Sequence, residues 1–362
     1  MRINLNYIYT TMPRLKIRRR SLIDKLIETK PNIAVKTIKS YIDKLHILRE
    51  FKQKKDGKPI SERGELSQKD LKIIADQDLV EKLLETKKES TSKNYYIAYS
   101  VLLQINFEEY EPEIEYYTKM AKGIQEKYEK FVNEQMKTPY QTANWSSIKD
   151  LQKVLDEQFK AIQKLNLESK DTISKSEFKQ VQLWFIGSLY IADPEGHPPV
   201  RADYTPMDII TYDTYKQILK GDNEENKLLN YLVISLKYKD KPLHFYFGSH
   251  KTSKTYGPLQ IDISKKMKPI ISFFLMVHRK FTSQRFGSLL LNRMFKPMNE
   301  NGLSKNVPTV FKSTGKNITI TLLRHIVISD VVPARKSKEQ DIAKKMMHSQ
   351  STQGDYSKKT ED

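Results

Sequence analysis

The sequence predicts a mainly α protein with a small antiparallel sheet: an all-helical N-terminal domain followed by an α+β domain. Three observations predict it. The 362 residues are enough for two domains at roughly 100–200 residues each. Apolar residues recur at helical spacing through most of residues 20–191. Beyond the stiff loop Asp193-Pro-Glu-Gly-His-Pro-Pro199 the apolar period changes to two.

The first helix with a clear stripe is Thr37 to Phe51, with Ile38, Tyr41, Ile42, Leu45 and Leu48 on one face and Lys39, Lys44 and Arg49 off it. Lys54 to Lys58, containing Asp56-Gly57, reads as a turn. A short helix is expected over Asp76 to Glu85, and Thr91 or Ser92 is expected to cap the next, which buries Tyr95, Tyr99 and Leu102. Residues 108–117 are acidic, contain Pro112 and break the pattern, so they read as a linker, followed by a polar helix from Tyr117 to Gln135. Asn144 or Ser146 then caps a helix carrying Leu151, Leu155, Phe159 and Ile162, and Phe178 to Ile191 is apolar enough to be a buried helix.

Strands are expected at Met207–Tyr212, Tyr231–Lys237, Leu243–Phe247 and Leu259–Ile263, all rich in Ile, Val, Tyr and Phe. Lys239-Asp-Lys241 joins the middle pair, and residues 248–257 join the last pair. Helices resume at Lys265–Lys280, Leu322–Val331 and Lys338–Met347.

The charge narrows the partner. Lys and Arg exceed Asp and Glu by 19, and residues 1–60 alone hold sixteen basic and five acidic side chains. Arg14, Lys16, Arg18, Arg19 and Arg20 form the densest run. Such a segment beside a folded domain is an electrostatic footprint for nucleic acid or an anionic surface; Met12, which opens the run, is a possible alternative start.

With no cysteine, disulfides, thiolate metal sites and cysteine nucleophiles are excluded. The longest apolar stretch, Ile270–Val277, contains Ser272 and is far short of the roughly 20 residues of a membrane span. No secretory leader is expected. Ser313-Thr-Gly-Lys316 fails as a phosphate loop, because Val310 stands where the first glycine belongs and Asn317 replaces Ser or Thr. The seven histidines have no metal-ligand spacing, so neither metal nor cofactor is expected.

Four fragments of the second domain carry the chemistry: Pro198-Pro-Val-Arg-Ala-Asp-Tyr204, His250-Lys-Thr-Ser-Lys-Thr-Tyr-Gly257, Thr321-Leu-Leu-Arg-His325, and Met347-His-Ser-Gln-Ser-Thr-Gln-Gly-Asp-Tyr356. In that order they resemble the tyrosine recombinases, the phage-integrase-type site-specific recombinases. The details are most similar to those of giant DNA viruses, virophages and related mobile elements. The resemblance covers roughly residues 90–356. It departs from the family pattern at Thr321, where a histidine is usual, and at Met347, where glycine is usual. The His348–Tyr356 spacing of eight is one short of the commonest, and six residues follow Tyr356.

The resemblance implies a basic arm (1–20), a helical core-binding domain (21–107), a linker and helix (108–143) and a catalytic domain (144–362). It implies Tyr356 as nucleophile and Arg201 and Arg324 as clamps on the scissile phosphate. His348 is implied as a phosphate or proton-transfer partner, and Lys251 as general acid with Lys254 its rival. Thr321 and His325 are possible further contributors. Lys39, Lys44 and Lys93 join the N-terminal run as expected DNA contacts.

The chemistry needs these residue types. Arginine forks match a phosphate bidentately, a lysine can protonate the leaving 5′-oxygen, and a tyrosine hydroxyl needs surrounding positive charge to act as a nucleophile. The implied partners are double-stranded DNA and three further copies of the chain in a tetramer on DNA. The implied setting is intracellular and virus- or mobile-element-encoded, whether in a host nucleus or a cytoplasmic viral factory. The rivals are a type IB topoisomerase or telomere resolvase, a non-catalytic DNA-binding relative, and a basic RNA-binding protein.

Overall fold

The computed structural model describes residues 21–60, 62–64, 66–134, 136–238, 241–331 and 345–346. The chain forms two compact units, residues 1–131 and 132–362, each with its own apolar core.

The first unit is helical: α1 (Leu22–Thr29), α2 (Val35–Lys55), α3 (Gln68–Ala75), α4 (Gln77–Leu84), α5 (Glu89–Leu103) and α6 (Phe107–Asn133). Ser21 and Ser67 open α1 and α3 with capping boxes closed by Asp24 and Asp70, and Asp76 accepts from Leu79 N–H to start α4. The predicted stripe of α2 is the buried one: Ile38, Ile42, Leu45 and Leu48 lie inside. Neither Thr91 nor Ser92 caps α5. Lys88 occupies that position, and Ser92 is buried a turn into the helix.

Residues 108–117 are not a linker. They form the start of α6, with a break in helical geometry at Tyr110 (φ −126°, ψ 21°) two residues before Pro112. A proline near the start of a helical run loses no hydrogen bond that the turn would have made. Glu108, Glu109, Glu111 and Glu115 face outward while Tyr110, Ile114 and Tyr117 enter the core. That core is rich in tyrosine, and four of the hydroxyls have partners within it. Tyr96 and Tyr116 donate to Glu81, Tyr99 donates to the Lys44 carbonyl and Tyr117 to the Ile74 carbonyl.

The second unit holds α7 (Pro139–Asn144), α8 (Ile148–Gln163), α9 (Lys175–Ile191), β1 (Asp208–Thr211), α10 (Tyr212–Lys220), α11 (Glu224–Lys227), β2 (Asn230–Ser235), β3 (Lys241–Phe247), α12 (Ser253–Tyr256), β4 (Leu259–Asp262), α13 (Met267–Thr282), β5 (Gly287–Ser288), α14 (Glu300–Val310) and α15 (Ile320–Val331). Ser147, rather than Asn144 or Ser146, caps α8. The sheet order is β4-β3-β2-β1-β5. It is mixed, not antiparallel: β1 and β2 run parallel, with Asp208 opposite Tyr231, while the other pairs are antiparallel. The cause is α10. Thr211 caps it by accepting from Thr214 N–H, and a helix between two neighbouring strands returns the chain in the same direction.

Strand alternation sorts the side chains. Leu232, Ile234, Phe245 and Phe247 join the main core with α9 and α13, whereas Tyr231, Val233 and Tyr246 pack on Tyr215 of α10. α9 is buried nearly all round, as its continuous apolar run requires. Among the described residues no helix is long and apolar enough to cross a membrane. The helix expected over Lys338–Met347 falls outside the described residues except at Lys345 and Met346.

Candidate functional site

Arg201 lies on the loop after α9, and the aromatic residues beneath it fix that loop. The Tyr190 hydroxyl donates to the Arg201 carbonyl at 2.9 Å. Tyr190 meets Tyr204 edge-on at 5.7 Å, and Tyr204 rests on Phe245 and Phe247 of β3. His197 Nε2 and the Tyr204 hydroxyl are 2.6 Å apart. Burial holds both tyrosine hydroxyls well above their ordinary pKa and pushes His197 down to about 4, so all three are neutral props at pH 7.

Arg324 projects from α15 into the interior and is 1% exposed. Its guanidinium donates to the Pro199 carbonyl at 3.1 Å and to the Met346 carbonyl at 3.4 Å. The first bond reaches the loop of Arg201, two residues upstream of it. The second reaches the described residue directly before the Met347–Tyr356 fragment. Thr321 is exposed one turn earlier on α15, and His325 is half-buried.

The turn after β3 presents Lys251, which is exposed. His250 braces it from inside: Nε2 lies 2.9 Å from the Gly257 carbonyl and Nδ1 3.2 Å from the Thr252 hydroxyl. A carbonyl can only accept, so Nε2 carries the proton. Lys254 lies within α12, its side chain outside the described set.

These pieces meet around Asp203. Its carboxyl is pushed above the ordinary carboxylate value by burial, and His250, Arg201 and Arg324 each oppose that shift through their charge. Three of the four sequence fragments therefore share one electrostatic neighbourhood, although they are separated by up to 123 positions in the chain. The bond of Arg324 to Met346 stops one residue before the fourth, and the whole of that fragment, His348 and Tyr356 included, lies outside the described residues.

Sequence reasoning quoted Asp203 inside a fragment without giving it a role. A carboxylate two residues after an expected phosphate-binding arginine was the available signal. Among the described residues no cluster of histidine and carboxylate groups can hold a metal.

The expected DNA contacts divide. Lys39 is exposed, but Lys44 donates to the Ser40 hydroxyl at 2.9 Å and lies over the rings of Tyr41 and Tyr95. Burial lowers its pKa. Lys93 bonds Gln125 across α5 and α6. Lys44 and Lys93 thus have partners within the chain. Arg14, Lys16, Arg18, Arg19 and Arg20 fall outside the described residues. No family model, curated protein or solved structure matches the chain.

Proposed function

We propose that this protein is a tyrosine-type site-specific DNA recombinase that cleaves and rejoins duplex DNA through a 3′-phosphotyrosyl intermediate, integrating or excising a viral or mobile genome. One observation carries the reading: Arg201, Arg324 and His250, distant in sequence, act on a single half-buried carboxyl group, Asp203. Two guanidinium groups gathered at one carboxyl group, with an exposed lysine next in sequence to His250, suit a phosphodiester whose non-bridging oxygens gain charge in the transition state.

In this reading the Tyr356 hydroxyl passes its proton to His348 or to water as it attacks phosphorus, a bond forms between its oxygen and phosphorus, and the bond from phosphorus to the 5′-oxygen breaks. The lysine of the turn gives that oxygen its proton. Bond energy is kept in the phosphotyrosine, and the 5′-hydroxyl of a partner strand reverses the step. The helical first unit and the basic N-terminal segment bind the duplex backbone, and paired exchange uses four copies of the chain.

Covalent capture tests this. The full chain is incubated with a pool of nicked duplexes of randomised sequence, and adducts that survive denaturation are isolated and sequenced. A DNA-linked protein lost in Tyr356→Phe is expected. Duplex binding without any adduct, in the chain as it stands, overturns catalysis and leaves the non-catalytic DNA-binding reading. The burial of Arg324 beneath two backbone carbonyls is the observation that favours that second reading.

A further inference from the structure

Asn230 opens β2 and is 8% exposed. It carries no charge, yet both ends of its amide are used, one by a residue of the first fragment and one by the residue directly before the second. Its Nδ2 donates to the Asp203 carbonyl at 2.9 Å, and its Oδ1 accepts from the Ser249 N–H at 2.9 Å. One side chain thus joins the loop of Arg201 and Asp203 to the turn that carries His250 and Lys251. A second contact tightens the same seam. Gly248 N–H donates to the Leu229 carbonyl at 3.1 Å. A Cβ at Gly248 would stand 2.1 Å from the Lys227 carbonyl oxygen and 2.5 Å from that of Leu229. The turn is seated directly on the residues that lead into Asn230.

We infer that Asn230 is a positioning residue of the strand-transfer site, holding the lysine-bearing turn in register with the arginine loop. The inference rests on the recombinase reading. An amide suits this work because it offers a donor and an acceptor in one rigid plane, and both partners are backbone groups whose positions Asn230 fixes whatever their side chains are. Lysine and arginine act on different oxygens of the same phosphate. Their separation therefore has to be set to within a fraction of an ångström, and a misplacement of about 1 Å can cost roughly a hundredfold in rate.

The test uses a duplex of captured sequence in two forms, one ordinary and one with sulfur in place of the bridging 5′-oxygen. A thiolate leaves without a proton, because a thiol is far more acidic than an alcohol. The ratio of adduct-formation rates on the sulfur and oxygen substrates therefore reads the placement of the general acid. Lys251→Ala or Lys254→Ala, whichever removes the acid, sets the upper limit of that ratio.

For Asn230→Ala the ordinary substrate is expected to slow by roughly a hundredfold and the ratio to rise towards that limit. Asn230→Asp keeps the acceptor for Ser249 N–H but loses the donor to the Asp203 carbonyl, so the link is broken at one end and its ratio is expected to rise part of the way to that limit. Should Asn230→Ala not fold, Asn230→Thr suits a strand, shortens the reach in the same way and reads the same ratio. Amide exchange at Ser249 should quicken in Asn230→Ala and not in Asn230→Asp. A folded Asn230→Ala with the wild-type ratio overturns the positioning role alone. Absence of adduct from the wild type on both substrates overturns the recombinase reading and the positioning role with it.

Discussion

The guanidinium of Arg324 donates to the carbonyl of Pro199 at 3.1 Å, tying α15 to the loop that carries Arg201. The two expected phosphate clamps are thus linked through backbone, and the arginine serves structure as well as charge. Arg324→Ala strands a buried carbonyl and removes a fully buried side chain, so a loss of about 2–4 kcal/mol in unfolding free energy is expected. Arg324→Lys keeps a positive charge and can still reach one carbonyl. It should recover much of the stability while adduct formation stays down by roughly a hundredfold, because an ammonium lacks the planar fork. Urea unfolding and adduct formation on one captured duplex measure the two effects. Equal activity of Arg324→Lys and the wild type would remove the bidentate role.

Tyr190 supports the loop of Arg201, the other expected clamp. Its hydroxyl donates to the Arg201 carbonyl at 2.9 Å from a fully buried ring. Tyr190→Phe keeps the ring and its packing on Tyr204 and deletes only the bond, so stability should fall by about 1 kcal/mol. The loosened loop should slow adduct formation more than it weakens duplex binding. A binding loss as large as the rate loss would place the defect in DNA affinity instead.

Much of the fold was legible because it follows from burial. Beyond its first turns α9 is apolar and buried on nearly every side, and β2 and β3 alternate as two-faced strands do. What escaped was set by few residues. α10 has only Tyr215 fully buried, so its short amphipathic pattern did not stand out, and without that helix the parallel pairing of β1 and β2 could not be read. The acidic run at 108–117 resembled a linker because exposed helix faces and linkers share a composition. At the site, Arg201, Lys251 and Arg324 were legible as charged residues in a known order. Asn230 was not, because its two partners are the Asp203 carbonyl and the Ser249 N–H. Backbone groups leave no mark on a sequence.

Two buried histidines set an acid limit. His197 and His278 are both pushed down to about 4 by burial. The folded state therefore resists a proton that the unfolded chain accepts near 6.5. Below that value the unfolded state binds more protons, so stability is full above pH 6.5 and falls as pH drops towards 4. The loss is about 3 kcal/mol for each histidine over that interval. The charge of neighbouring Arg279 adds to the effect of burial on His278, whose Nε2 lies 3.1 Å from the Ser288 carbonyl. His278→Gln retains a donor for that carbonyl and cannot titrate. Its unfolding free energy should fall less steeply between pH 6.5 and 4, by the equivalent of one proton. An unchanged slope would mean that His278 ionises in the folded protein as it does in the unfolded chain.

Asp203 reverses the sign. Burial, with the Glu300 charge adding to it, raises its pKa more than His250, Arg201 and Arg324 together lower it. The folded carboxyl therefore holds a proton more readily than the unfolded one. Stability from this group is present below the ordinary carboxylate value and is lost as pH rises through the raised one. Asparagine has the same shape and no charge to bury, so Asp203→Asn should gain stability relative to the wild type as pH rises, and be the more stable at pH 7. The same change frees both arginines from a competing anion. Duplex binding at low salt should tighten by roughly tenfold, the size of one charge interaction near a protein surface. The gain should shrink as salt screens it. Lower stability of Asp203→Asn at pH 7 would show the opposite balance: that the carboxylate gains more from the arginines than burial costs it, and that it holds them in place for the phosphate.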